Sequence, residues 1–197
     1  MSIISIFVNK KIAEEKNVVR KKMMTLRKSI SKSDIETWSR AIMNRLFEME
    51  EYKEANHVMF YVSYDNEVKT HEMIIKALSS PKKVSVPLLE KEKIIPVEIG
   101  RWDELKPGAY GILEPRHKKE SKISEIELVV VPGVAFDEGG YRIGHGLGCY
   151  DDFLKNVRGL KIGLAFEFQI IPEIPHEEHD ISVDRIITEE RVIECES

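Results

Sequence analysis

Residues 58–62 (Val-Met-Phe-Tyr-Val) and 128–131 (Leu-Val-Val-Val) are unbroken apolar runs, each too short for a helix of its own. A strand with one wet face alternates apolar and polar residues. A strand covered on both faces does not. These two runs therefore require layers on both sides of a sheet. Further strands are expected at residues 84–87, where Pro87 ends the run, and at 93–98, 160–165, 183–188 and 191–194, with the two apolar runs extended to 57–62 and 127–131. Helical patterns lie between them. In residues 12–30, Val19, Met23, Leu26 and Ile30 recur at steps of three and four, with Lys16, Arg20, Lys21, Lys22, Arg27 and Lys28 supplying charge. Ser33 and Glu36 have the spacing of a capping box opening a second helix to about Met49, with Ile35, Trp38, Ile42 and Leu46 inward. Residues 70–78 form a short helix, and another begins after the glycine-rich stretch and continues through 153–157. Strands alternating with helices predict an α/β fold: a single domain over residues 1–197, Rossmann-like, with a mainly parallel mixed sheet and helices on both faces. Residues 1–15 are an N-terminal extension, whose apolar start (1–8) reads as an extra strand or a loose segment.

Charge excludes some partners. The formal net charge of -4 gives no general attraction to nucleic acid or an anionic membrane. The basic helix from Lys16 to Lys28 lacks the interleaved aromatics of a single-strand platform, so RNA binding is disfavoured. No apolar run approaches the ~20 residues of a membrane span. The two cysteines, Cys149 and Cys195, fit a reducing, cytoplasmic setting, and a monomer is expected.

The chemistry gathers in residues 137–154. Five glycines, Gly139, Gly140, Gly144, Gly146 and Gly148, follow a core strand and run into a helix. Such a loop presents backbone N–H groups to one point, which suits a phosphate. Arg142 stands at its head as a fixed cation, and Asp151 at its foot as a carboxylate able to hold a nucleotide's metal ion. The spacing is neither a phosphate-loop nor a dinucleotide fingerprint, so general motifs stop at an anion site. Lys16 and Arg20, four apart on one helical face, could reach the same polyphosphate. In residues 176–180 (His-Glu-Glu-His-Asp) the histidines are three apart among prolines, which favours a loop carrying one functional acid over a zinc site. Asp184 is a second acid able to approach Asp151. Cys149 reads as a space-filler, since no histidine–acid relay accompanies it. Sheets of this kind bind ligands at the carboxyl ends of their strands, so the loops at 63–68, carrying Glu67, and 137–150 are expected to meet.

Residues 140–151, Gly-Tyr-Arg-Ile-Gly-His-Gly-Leu-Gly-Cys-Tyr-Asp, resemble the signature of the 5-formyltetrahydrofolate cyclo-ligase family. Segments 16–20, 61–67, 110–115, 131–137 and 179–184 resemble that family's other motifs, in order. The resemblance implies an enzyme that uses ATP and Mg2+ to convert 5-formyltetrahydrofolate into 5,10-methenyltetrahydrofolate, releasing ADP and phosphate. The formyl oxygen would be phosphorylated first, and the other folate nitrogen would then close the ring. Carried over by position, Lys16, Arg20, Arg142, Ile143, Gly144, His145, Gly146, Leu147, Gly148, Cys149 and Tyr150 would bind ATP. Val62, Glu67, Tyr110 and the run His145, Gly146, Leu147, Gly148, Cys149 would bind the folate, with Tyr110 stacking on the pterin. Asp151 and Asp184 would be linked to magnesium.

Three positions depart from the family pattern. Leu147 replaces a Gly or a basic residue, Cys149 an aromatic, and Asp152 an Arg. The first two fall among the folate contacts, and Leu147 narrows the loop without adding a donor. Two alternatives follow: a non-catalytic folate-binding or storage module of the same fold, or a divergent ligase for another substrate.

Overall fold

The run Leu128–Val131 forms β6, and the side chains of this strand alternate between two cores. Leu128 and Val130 join Val58, Val84, Val86, Ile162 and Leu164 on one face, packed against Ile35, Ile42, Met43, Leu46, Met73, Ile74 and Ala77. Val129 and Val131 point the other way, to Met59, Ala165, Ile186, Phe153 and Leu154. A period of two along the strand feeds both layers, as the unbroken apolar run requires.

The computed structural model describes residues 3–108 and 111–195, with side chains from Lys10 onward. The helices are α1 (Ile3–Ser29), α2 (Lys32–Glu48), α3 (Glu50–Glu54), α4 (His71–Leu78) and α5 (Cys149–Leu154). The main sheet comprises β1 (His57–Met59), β2 (Lys83–Glu90), β3 (Lys93–Ile99), β6, β9 (Leu160–Leu164), β10 (Arg185–Ile187) and β11 (Val192–Glu194), in the spatial order β11-β10-β9-β6-β1-β2-β3. The five central strands are parallel. Each edge is an antiparallel hairpin partner, β11 against β10 and β3 against β2. Helices α2 and α4 cover one face and α5 the other. Two small pairs stand apart: β4 (Leu105–Pro107) with β5 (Leu113–Pro115), and β7 (Ala135–Phe136) with β8 (Arg142–Ile143).

Several local expectations are corrected. From Ile3 the apolar start is neither a strand nor a loose segment, because α1 runs unbroken from there, with no Pro or Gly to interrupt it; residues 1 and 2 lie outside the described residues. The cap of α2 is Ser31, not Ser33: Ser31 is extended and its Oγ accepts from the Asp34 N–H at 3.1 Å. Serines stand at both positions with an acid three residues on, so the pattern alone did not discriminate between them. Strand β2 continues through Pro87 to Glu90, with Pro87 opposite Pro96. Facing prolines fit an antiparallel ladder where neither N–H is needed, and β1, pairing only as far as Ser85, has already ended on the other side. Residues 60–62 stay buried but leave the ladder after Met59. Helix α5 ends at Leu154, so 155–157 are not helical.

The apolar stripe of α1 is also one residue out of place. Leu26 is 40% exposed, whereas Arg27 is 4% exposed and turned into the protein. Half-buried positions 16 and 20 and buried positions 23 and 27 trace one face of the helix, with Met23 packed on Val134, Ala135, Ile143 and Ile174. Among the described residues Arg27 Nη1 has no hydrogen-bond partner, and the Arg27 carbonyl accepts from Asn66 Nδ2 at 3.2 Å.

His57 makes stability depend on pH. It is buried, with Nε2 2.7 Å from Ser85 Oγ and Nδ1 unpartnered among the described residues. Burial, helped by the Lys83 charge, lowers its pKa below the ordinary histidine value. The unfolded chain therefore takes up a proton that the folded chain refuses, and stability falls as pH drops below about 6.5. The urea midpoint should be lower at pH 5.5 than at 7.5, and the difference should shrink in His57→Gln. Equal midpoints in the parent would refute this.

Candidate active site

The stretch expected to be one glycine-rich loop is divided. Its first half is the β7–β8 hairpin, built around Asp137. Asp137 Oδ1 accepts from the Tyr141 N–H at 2.9 Å, and Oδ2 accepts from the Ile174 N–H at 2.8 Å. Gly140, at φ 85°, closes the turn. The remaining loop is residues 144–148, which lead into the six-residue α5 through Gly148 at φ 67°.

Two elements converge on that loop, and a third joins one of them. Helix α1 reaches it through Arg20, whose Nε donates to the Gly144 carbonyl at 2.7 Å. The Arg20 guanidinium lies 3.6 Å from where a Cβ on Gly146 would stand, and partial burial lowers its pKa. The β1–α4 loop reaches it through Glu67, whose Oε1 is 3.4 Å from His145 Nε2. Glu67 Oε2 accepts from the Tyr64 N–H at 2.8 Å, which fixes the carboxylate on its own loop. The segment at 177–181 meets α1 one turn before Arg20, where Lys16 Nζ is 2.5 Å from Asp180 Oδ2. The two strand-following loops thus meet at the carboxyl edge, as the topology requires. A glycine loop, Arg20 and a loop carboxylate meet in one region, with Lys16 one turn from Arg20 on the same helix.

A model of the 5-formyltetrahydrofolate cyclo-ligase family matches residues 12–189 of this sequence. The chain belongs to that family. It is 33% identical over 198 residues to a probable 5-formyltetrahydrofolate cyclo-ligase of Caenorhabditis elegans, covering 92% of this chain and 96% of the relative. The Escherichia coli 5-formyltetrahydrofolate cyclo-ligase is 30% identical over 148 residues, covering 71% and 81%. The solved structure of Aquifex aeolicus 5,10-methenyltetrahydrofolate synthetase superposes with a TM-score of 0.84 at 32% identity, over 92% of this chain and 93% of that one.

The other cyclo-ligase positions fall into two groups. Val62 is buried in the core, and burial together with the Glu67 charge drives the Tyr150 phenol pKa far up, so it stays a neutral hydroxyl. His145, Gly146, Leu147 and Gly148 are exposed on the rim, while Ile143 is buried beneath it. Tyr110 lies outside the described residues. Burial raises the Cys149 thiol pKa, which leaves it protonated and a poor nucleophile.

Arg142 and Asp151 form the second group. The Arg142 side chain is 3% exposed. Its Nη1 donates to the Ile181 carbonyl at 2.6 Å and its Nη2 to Asp151 Oδ1 at 3.0 Å. Burial lowers the Arg142 pKa, against the Asp151 charge that supports it. Asp151 Oδ1 also accepts from the Ile181 N–H at 3.1 Å. Asp184 is held elsewhere. It precedes β10 at the amino end of that strand, and its Oδ2 accepts from the Lys161 N–H at 2.6 Å and pairs with Lys161 Nζ at 3.0 Å. Asp151 and Asp184 share no partner. Among the described residues no group of three or more His, Cys, Asp or Glu side chains is placed to hold a metal. One carboxylate does fit a magnesium ion that keeps waters and takes phosphate oxygens as its other ligands. Among the described residues the side-chain contacts of Asp151 all use Oδ1, so its Oδ2 could serve as such a ligand.

Sequence reasoning left Asp180 unnamed within its loop and missed Asp137 and the burial of Arg27. The proline-flanked acidic stretch was the available signal for Asp180. For Asp137, the signal was a turn-forming acid two residues before the first glycine pair.

Proposed function

We infer that this chain is an ATP- and Mg2+-dependent 5-formyltetrahydrofolate cyclo-ligase. The observation that carries the reading is the approach of Glu67 to His145, which joins the loop implied for folate to the loop implied for ATP. Lys16 and Arg20 supply positive charge for the triphosphate, and Arg20 lies against Gly144 and Gly146 of the loop. Glu67 accepts hydrogen bonds from N–H donors on the pterin edge, and Tyr110 stacks on its face. The formyl oxygen attacks the terminal phosphoryl group and ADP leaves. The second folate nitrogen then attacks the activated formyl carbon, and loss of phosphate gives the methenyl ring. Phosphoryl transfer of this kind needs alignment and charge neutralisation more than a covalent nucleophile, in keeping with a protonated Cys149. Bound magnesium would neutralise phosphate charge. Asp151 would hold it, and Asp184 would have to leave Lys161 to join. In this reading Arg142 serves ATP by holding Asp151 and Ile181 in place. The proposed setting is a cytoplasmic monomer.

The test is purified protein with ATP, magnesium and 5-formyltetrahydrofolate, followed by methenyl absorbance. Turnover is expected, and none from a folded sample refutes the reading. Folate binding without ATP and without turnover would favour the storage module instead. Glu67→Gln should raise the folate KM at least ~10-fold, as loss of a charged hydrogen-bond acceptor does, and leave the ATP KM near the parent value. An unchanged folate KM would remove Glu67 from the site.

A further inference from the structure

Lys16 lies near the middle of α1, a helix whose buried stripe rests on the β7–β8 hairpin and Ile174. A lysine there has a flexible four-carbon stem, and its ammonium is not directed by helix packing alone. Asp180 directs it. Lys16 Nζ and Asp180 Oδ2 are 2.5 Å apart, and both side chains are only 13% exposed, unlike an ordinary surface pair. Asp180 is itself fixed, because the same Oδ2 accepts from the Glu177 N–H at 2.8 Å. These contacts outweigh the effect of burial and hold the Asp180 pKa below the usual carboxylate range.

The next residue ties Asp180 to the rest of the site. Ile181 donates its N–H to Asp151 and accepts from Arg142 through its carbonyl. Residues 177–181 therefore bridge α1 on one side to α5 and β8 on the other. No other described residue links Lys16 to this bridge by an ion pair.

We propose that Asp180 is a positioning residue of the nucleotide site: it aims the Lys16 ammonium at the triphosphate and couples α1 to the Arg142–Asp151 pair. The proposal rests on the reading of Lys16 as an ATP contact. It adds that Asp180, which touches no phosphate, acts on ATP only through Lys16.

A double-mutant cycle tests it. Asp180→Asn should raise the ATP KM at least ~10-fold, the scale of a lost charge-assisted contact, while the folate KM stays within about twofold. In a Lys16→Met background the same substitution should change the ATP KM less than about twofold, because no ammonium is left to aim. Asp180→Glu, which keeps the charge, should recover most of the parent ATP KM. An undiminished effect in the Lys16→Met background, or equal rises in both KM values, would overturn the proposal. Amide exchange across residues 16–24 without ligand gives a second readout. Each single variant should speed exchange, and the double variant should be no faster than either. Additive acceleration would overturn the coupling. A parent protein that binds no ATP would defeat the reading of Lys16, and the exchange cycle would still decide the Lys16–Asp180 coupling.

Discussion

Arg142→Ala is expected to lower the unfolding free energy by about 3–5 kcal/mol, the cost of removing one partner of a buried ion pair. The side chain is 3% exposed and donates to Ile181 O and Asp151 Oδ1, so truncation leaves a carbonyl and a carboxylate short of a donor inside the protein. It also frees residues 177–181 from β8. The urea midpoint should fall sharply, and turnover measured well below that midpoint should fall through a raised ATP KM. Arg142→Met combined with Asp151→Leu should cost less stability than Arg142→Ala, because it removes both charges together, though it would forfeit the metal carboxylate. A parent-like urea midpoint for Arg142→Ala would show that the buried pair contributes little. From its residue type alone, Arg142 would be expected to act as an exposed phosphate contact, losing turnover with stability unchanged. The two outcomes are separable in one experiment.

The sheet was legible because burial on both faces leaves a mark in composition. Residues 128–131 carry no polar position, and the structure shows why: Leu128 and Val130 serve one core, Val129 and Val131 the other. The exchange of Leu26 for Arg27 on α1 was not legible. Both lie within reach of a 3.6-residue stripe, and residue type favours the leucine. Neighbouring structure decides otherwise, since Asn66 binds the Arg27 carbonyl and the Arg27 charge acts on the buried Tyr61 phenol. A long-range arrangement of this kind leaves no trace in local periodicity.

The site was legible in its members more than in their directions. Parallel topology brings the loops after β1 and β6 to one edge, so Glu67 and His145 could be expected to meet. Nothing in the glycine spacing says that residues 135–136 and 142–143 pair, and that pairing is what turns Arg142 inward. Asp184 shows the same limit. Its motif links it to Asp151, while the fold sets it at the amino end of β10 beside Lys161. Asp180 is the converse, an acid in a stretch resembling a metal motif, whose partner is a lysine 164 residues away in sequence.

Gly140→Ala should be the most damaging substitution among the glycines of the signature, costing about 2–5 kcal/mol. Two effects combine. Gly140 holds φ 85°, which strains an L-residue by roughly 1–2 kcal/mol. An added Cβ would also lie 2.3 Å from the Val183 carbonyl oxygen and 3.0 Å from Cys195 Cβ. The contact with Val183 cannot relax by a side-chain rotation, because the obstacle is backbone. The Val183 N–H already donates to the Gly140 carbonyl at 2.9 Å, which holds the two segments together. Overpacking of this kind adds about 1–3 kcal/mol. Pushing residues 183 and 140 apart moves Ile181, and with it the contacts to Arg142 and Asp151, so the ATP KM should rise along with the loss of stability. Gly144→Ala is the comparison. Nothing lies within 4 Å of its added Cβ and its φ is not in the left-handed region, so its urea midpoint should stay near the parent's. Equal midpoints for the two variants would mean that the hairpin turn yields where the geometry says it cannot, and the coupling of residues 181–184 to the nucleotide loop would lose its structural basis.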